Sequence, residues 1–292
     1  MSKIGFIGTG VMGAAIAGHF LNAGHEVFVY NRTKAKTDEL VAQGAVWLDN
    51  PALIAEKAEI IFTMVGYPSD VRETYFGENG IFQADISGKI LVDMTTSEPG
   101  LAVEIAQKAV EVGASSLDAP VSGGDIGAKN ATLTIMVGGE EEAYNKVLPL
   151  FEIVGKTYML QGKAGAGQHT KMANQIGIAG TMTALMELLV YADKAGLDLD
   201  KVLTTLGGGG ANTWSLANYG PRILKEDYSP GFFVKHFIKD LGIALAEAEK
   251  MDIQLPATAK AKELYDALSD KGFENDGTQA LIKLWWEDGK RA

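Results

Sequence analysis

Apolar positions follow two alternating patterns through the first half of the chain. Continuous apolar runs at 3–7, 26–30, 60–65, 90–94 and 116–118 predict strands buried on both faces, because a central parallel strand has no solvent face that calls for polar residues. Between them, helical spacing marks 12–23, 33–43, 69–75 and 99–112, with a shorter turn at 51–57. Strand–helix–strand alternation predicts a mainly parallel, doubly wound α/β sheet with helices on both faces. Residues 133–138, the helical 140–151 and 157–160 extend that sheet, with a change of strand direction left open.

Past Gly162 the strand signals stop. A long apolar helical pattern covers 165–195 and ends at Gly196, a residue suited to a helix C-terminus. Further helices are predicted at 199–206, 213–224, 233–251, 257–271 and 278–286. The domain division therefore falls at 163/164, giving an α/β domain over 1–163 and an all-helical one over 164–292 that the long helix opens.

Composition narrows the chemistry. The 292 residues are 47% hydrophobic and 22% charged, which excludes a disordered chain. Glycine is abundant at 35 against only 8 prolines, pointing to close backbone approaches rather than linkers. A net charge of −11 with no basic patch argues against nucleic acid as a partner. With no cysteine there is no disulfide or thiolate nucleophile, and the 4 histidines lack metal-ligand spacing, so no metal is expected. The N-terminus enters a strand directly, and no uncharged apolar run reaches about 18 residues. No secretory signal and no membrane partner are expected, and the default location is cytoplasmic.

The strongest local motif is Gly8-Thr9-Gly10-Val11-Met12-Gly13. It follows a strand and opens a helix, the context in which this spacing cradles a dinucleotide. Gly8 allows the tight turn, Gly10 the approach of a pyrophosphate, Gly13 the close helix–strand contact, and the helix N-terminus offers unpaired N–H groups. At the end of the second strand, Asn31-Arg32-Thr33 stands where NAD sites usually carry a carboxylate. Arg32 and Thr33 suit a 2′-phosphate, so NADP is the physical preference, with NAD also usable if Arg32 points to solvent. Met64, Val65 and Thr96 end other strands on the same crevice and are candidate contacts for the ribose–nicotinamide half. The cluster 95–97 reads equally well as capping for the helix after it.

Asp118-Ala119-Pro120-Val121-Ser122-Gly123-Gly124 offers a hydroxyl and open N–H groups suited to a carboxylate. Lys171 and Asn174 in Gly167-Gln168-His169-Thr170-Lys171-Met172-Ala173-Asn174 share a helical face. A lysine in an apolar helix is desolvated and becomes usable for acid–base work, although a solvated first-turn lysine fits the same local pattern. His169 reads as a surface or capping residue.

Together with Lys239-Asp240-Leu241, these segments resemble the β-hydroxyacid dehydrogenase family, which includes 3-hydroxyisobutyrate dehydrogenase and tartronate semialdehyde reductase. The resemblance spans essentially the whole chain. It implies a Rossmann-type doubly wound sheet, a long interdomain helix and an all-α C-terminal domain that completes a homodimer or homotetramer. It further implies Lys171 as the catalytic acid and base, Ser122, Gly123 and Gly124 as the cradle for a small carboxylate substrate, and Asn174 as its orienting amide. Lys239, Asp240 and Phe232 match positions that reach the cofactor from the second domain. The implied reaction is hydride transfer between NAD(P) and a small β-hydroxy acid or semialdehyde. Asn212, Trp214, Ser215 and Arg222 are candidates for setting substrate length.

Four other readings compete with this one. Imine reductases typically carry another residue where Lys171 stands, and classical 6-phosphogluconate dehydrogenases have a longer helical portion. Glyoxylate/succinic semialdehyde reductase is the runner-up within the family. A non-catalytic dinucleotide-binding regulatory module would be expected to lack Lys171 or the Ser-Gly-Gly cradle, and both are present.

Overall fold

The structure, a computed structural model, describes residues 1–290. It divides into two compact units, one ending at Lys171 and the other starting at Met172. The first unit is built on a nine-stranded sheet. Six strands are parallel: β1 (Lys3–Ile7), β2 (Glu26–Tyr30), β3 (Val46–Trp47), β4 (Ile60–Thr63), β5 (Ile90–Asp93) and β6 (Ser115–Asp118), in the order β3-β2-β1-β4-β5-β6. Beyond them, β8 (Leu133–Gly139) runs antiparallel to β6 and to β7 (Val121–Ser122), and parallel to β9 (Gly155–Gly162). The chain thus turns back within the sheet, the change of direction left open by the sequence.

Alternate side chains explain the continuous apolar runs. Phe6, Phe62 and Val92 enter one core while their neighbours Ile7, Ile61 and Leu91 enter the other, so the middle of each strand is buried on both faces. The rings of Phe6 and Phe62 stack 6.1 Å apart. The helices on the two faces are α1 (Val11–Asn22), α2 (Asp38–Ala42), α3 (Pro51–Lys57), α4 (Pro68–Phe76), α5 (Pro99–Glu111), α6 (Gly124–Lys129) and α7 (Glu141–Val154). Three of them open on proline, whose missing N–H would be unpaired there anyway. Successive strands β1, β2 and β3 build outward on one side, and the chain resumes at β4 on the other. That reversal places a switch point at the carboxyl ends of β1 and β4, where open α/β sheets hold ligands.

The long helix α8 (Ala166–Lys194) is continuous. By length and composition alone it could cross a membrane. Its apolar residues instead form the spine of the second unit's core: Met182, Met186 and Leu189 are fully buried. The other helices of that unit are α9 (Leu199–Gly207), α10 (Trp214–Leu224), α11 (Val234–Lys250) and α12 (Pro256–Asp270). Phe237, Leu241, Tyr265 and Leu281 complete its core.

Several elements differ from expectation. The segment 278–286 is a 3₁₀ helix over Thr278–Leu284 rather than an α-helix, and 33–43 splits into a 3₁₀ turn, Lys34–Thr37, and α2. The strands β3 and β7 have two residues each, too few to show a period. The compact units meet after Lys171, inside α8. The start of α8 is held on the sheet, because the Asp118 carboxylate accepts from the Gly165 and Gln168 N–H groups.

Candidate active site

The glycine loop joins β1 to α1 with no slack. Gly8 has φ +99°, and a Cβ there would lie 2.1 Å from the Met64 carbonyl oxygen. A Cβ at Gly13 would lie 1.9 Å from the Gly8 carbonyl oxygen and 3.0 Å from the Phe6 ring. Gly10 is different: a Cβ there meets no other part of the protein within 4 Å. Gly10 is also the N-cap of α1 and offers no side-chain cap, so the first-turn N–H groups face open space with a partial positive charge. Val11 is exposed and Met12 half-buried. The Thr9 hydroxyl is buried without a hydrogen-bond partner. Open room, uncapped N–H groups and an orphaned hydroxyl at one strand end fit a dinucleotide pyrophosphate.

The residues after β2 divide their roles. Asn31 Oδ1 accepts from the Thr9 N–H at 3.1 Å and its Nδ2 donates to the Thr33 carbonyl at 2.9 Å. The Asn31 amide therefore clips the glycine loop to the end of β2, a structural use that its candidacy as a cofactor contact did not foresee. Arg32 is 86% exposed at its side chain, with its guanidinium 3.2 Å from Asp70.

A continuous chain of contacts runs along the carboxyl ends of the strands. At the end of β4, the Val65 N–H donates to Thr95 Oγ1 at 3.0 Å. The Thr95 carbonyl accepts from Gln168 Nε2 at 2.7 Å, and Gln168 Oε1 accepts from the Ser97 N–H at 3.0 Å. Neither Thr95 nor Ser97 caps α5, whose N-cap Glu98 has no side-chain cap bond. Thr95 instead ties the end of β4 to the segment after β5. Thr96 is half-buried between them.

Lys171 lies one turn beyond Gln168 on α8. It is 6% exposed, and its Nζ donates to the Val121 carbonyl at 2.8 Å. A solvated lysine is excluded by that burial. Val121 precedes Ser122, whose strand pairing with Thr134 fixes its backbone. Gly123 (φ +127°) and Gly124 (φ +63°) then turn the chain into α6. The ammonium is thus held directly beside the Ser-Gly-Gly turn.

Two buried carboxyls lie behind this edge. Burial raises Asp93 to about 6, against hydrogen bonds from Thr95 and Thr63 that favour its charged form, with the Asp118 charge adding to the rise. Burial also raises Asp118, opposed by the N–H groups of Gly165 and Gln168.

The second unit holds its own polar cluster. Asn174 Nδ2 donates to Gln175 Oε1 at 2.7 Å, and Gln175 Nε2 donates to Asp240 Oδ2 at 2.6 Å. Lys239 Nζ lies 3.2 Å from Asp240 Oδ1, and both side chains are largely buried. Phe232 packs edge-on against Phe237 at 5.5 Å. Of the substrate-length candidates, Asn212 and Trp214 are exposed. Ser215 bonds Thr181, and Arg222 is engaged by Asp227 and Ser229. His169 is exposed, as a surface residue should be. Local sequence pattern gives no role to Asp118, Gln168 or Gln175. Their partners lie far along the chain, so no local pattern marks them.

Residues 3–162 match the NAD-binding domain of 6-phosphogluconate dehydrogenase, and residues 165–285 match the NAD-binding region of NADP-dependent 3-hydroxyisobutyrate dehydrogenase. The chain is 49% identical over 282 residues to an Arabidopsis thaliana protein named "Probable 3-hydroxyisobutyrate dehydrogenase-like 1, mitochondrial", covering 96% of this chain and 84% of that one. It is 41% identical over 281 residues to the 2-hydroxy-3-oxopropionate reductase of Escherichia coli, covering 96% of each. A solved structure of Mycobacterium tuberculosis 3-hydroxyisobutyrate dehydrogenase with L-serine superposes with a TM-score of 0.90 at 28% identity, covering 97% of this chain and 99% of that one.

Proposed function

We propose that this chain, which belongs to the β-hydroxyacid dehydrogenase family of NAD(P)-dependent oxidoreductases, uses Lys171 as general acid and base on a small β-hydroxy acid or semialdehyde of the 3-hydroxyisobutyrate or tartronate semialdehyde type. Bound NAD(P)H would supply the hydride in reduction, and bound NAD(P)⁺ would accept it in oxidation. In reduction, the Lys171 ammonium delivers a proton to the developing alkoxide; in oxidation, its neutral amine takes the hydroxyl proton. Ser122 and the N–H groups of Gly123 and Gly124 hold the substrate carboxylate, and Asn174 orients the substrate. Gly8, Gly10, Val11, Met12 and Gly13 hold the pyrophosphate; Met64, Val65 and Thr96 line the ribose–nicotinamide half. Phe232, Lys239 and Asp240 join the cofactor set by resemblance. Arg32 and Thr33 give the preference for NADP.

The observation that carries this reading is the buried Lys171 Nζ, 2.8 Å from the Val121 carbonyl and next in the chain to the Ser-Gly-Gly turn. The test is nicotinamide absorbance with NADPH and NADH against a panel of small semialdehydes, and with the oxidised cofactors against hydroxy acids. Turnover of a three- or four-carbon substrate bearing a carboxylate is expected; cofactor binding with no turnover across the panel contradicts the reading. The same proposal takes the enzyme to be a cytoplasmic homodimer or homotetramer, the oligomer being measurable by light scattering.

A further inference from the structure

We propose that Gln168 and Asp118 are positioning residues for Lys171, locking the start of α8 to the sheet so that the amine has one place to be. The inference rests on the reading of Lys171 as the acid and base. A helix leaves its first N–H groups unpaired, and a side chain just before the helix usually takes them. Here the acceptor comes from the end of β6: the Asp118 carboxylate, 4% exposed, takes the Gly165 and Gln168 N–H groups at 2.8 Å each. A local cap would satisfy the helix equally well. A cap from a strand additionally fixes where the helix stands.

Gln168 supplies the second fixing point. It is fully buried, and both ends of its amide bond the segment after β5, to the Thr95 carbonyl and the Ser97 N–H. Lys171 follows three residues later, on the same face and about 4.5 Å along the helix axis. Its Nζ then returns to Val121, three residues past Asp118 in the chain. The result is a closed ring from Asp118 through α8 to Lys171, Val121 and back to Asp118. Two glycines show how tightly it closes. A Cβ at Gly138 would lie 2.5 Å from Asp118 Oδ1 and 2.7 Å from the Gly167 nitrogen. A Cβ at Gly167 would lie 2.4 Å from the Met136 carbonyl oxygen and 2.5 Å from that of Asp118. Neither glycine is there for a turn at α8, since Gly167 is helical; both give clearance for the helix to seat.

A misplacement of about 1 Å lowers a catalytic rate by up to roughly 100-fold, so releasing the helix should appear in kcat before it appears in binding. The test uses Gln168→Met, which keeps volume and removes both bonds, in wild-type and Lys171→Ala backgrounds. Expected is a loss of kcat of about 10- to 100-fold in the wild-type background, with the KM for cofactor within about 3-fold. In the Lys171→Ala background the same change should lower the residual rate by less than about 2-fold, because the group it positions is gone. A core variant, Val147→Ala, controls for lost stability: its Tm should fall while kcat stays within about 2-fold. If Gln168→Met does not fold, Gln168→Glu keeps the acceptor for Ser97 and removes only the donor to Thr95, and should show a smaller loss with the same pattern. A wild-type kcat in either folded variant overturns the proposal, as does an equal fold-loss in both backgrounds. Near-normal turnover by Lys171→Ala alone would instead refute the underlying reading of Lys171, a separate outcome.

Discussion

Replacing Gly10 by Ala places one methyl group over the N-terminus of α1. The backbone there, φ −69° and ψ −170°, is extended and open to alanine, and the added Cβ meets nothing in the protein within 4 Å. The fold therefore loses only the advantage of glycine over alanine as an N-cap, less than about 1 kcal/mol, and Tm should move by no more than about 4 °C. A pyrophosphate seated on those N–H groups would meet the methyl directly. Overpacking of a fitted site costs about 1–3 kcal/mol, which is a weakening of about 5- to 150-fold in cofactor Kd. Gly13→Ala is the counterpart, since its Cβ would press on the Gly8 carbonyl at 1.9 Å and burden the fold itself. The assay is NADPH fluorescence titration beside thermal unfolding for both variants. Gly10→Ala should bind poorly with near-normal Tm; Gly13→Ala should lose Tm and affinity together. Normal NADPH affinity in Gly10→Ala would refute the assignment of that space to the pyrophosphate.

Two more perturbations probe the site. Arg32 is exposed, and its pair with Asp70 at 3.2 Å is worth about 1 kcal/mol or less, so it can be exchanged for a 2′-phosphate. Arg32→Ala should weaken NADP⁺ by about 10-fold or more and NAD⁺ by less than about 2-fold, measured by competition titration; equal losses for both would remove Arg32 from the phosphate contact. Asp93 has a folded-state pKa of about 6, above the ordinary carboxyl value of about 3.9. Its contribution to stability is full below about pH 4 and is lost as pH rises through about 6, a change on the order of 3 kcal/mol. Urea unfolding from pH 4 to 7 should show wild type losing that much relative to Asp93→Asn. Parallel curves would show that Asp93 does not carry the shift.

The sheet was legible because burial on both faces leaves continuous apolar runs, as Phe6 and Ile7 show by entering opposite cores. The glycine loop was legible because its spacing is a local requirement of one turn. Elements with two residues, β3 and β7, carry no period and stayed hidden. The helix α6 was masked by its two glycines, which are poor helix formers. Lys171 could be singled out as an isolated charge in an apolar helix, but its burial against Val121 depends on a strand 50 residues earlier. The same distance hid Asp118 and Gln168 as the fastening of α8. Asn31 reaches back to Thr9, a contact that its position at the end of β2 does not announce. Position along a strand end predicts the neighbourhood of a side chain, and only the folded chain decides its partner.

The central claim is that the buried amine of Lys171 moves the proton that accompanies hydride transfer. Single-turnover kinetics of Lys171→Ala with NADPH and the best semialdehyde of the panel measure this directly. A rate lower by about 100- to 10,000-fold, with NADPH affinity within about 3-fold of wild type, is the expected result; a single-turnover rate equal to wild type would contradict it.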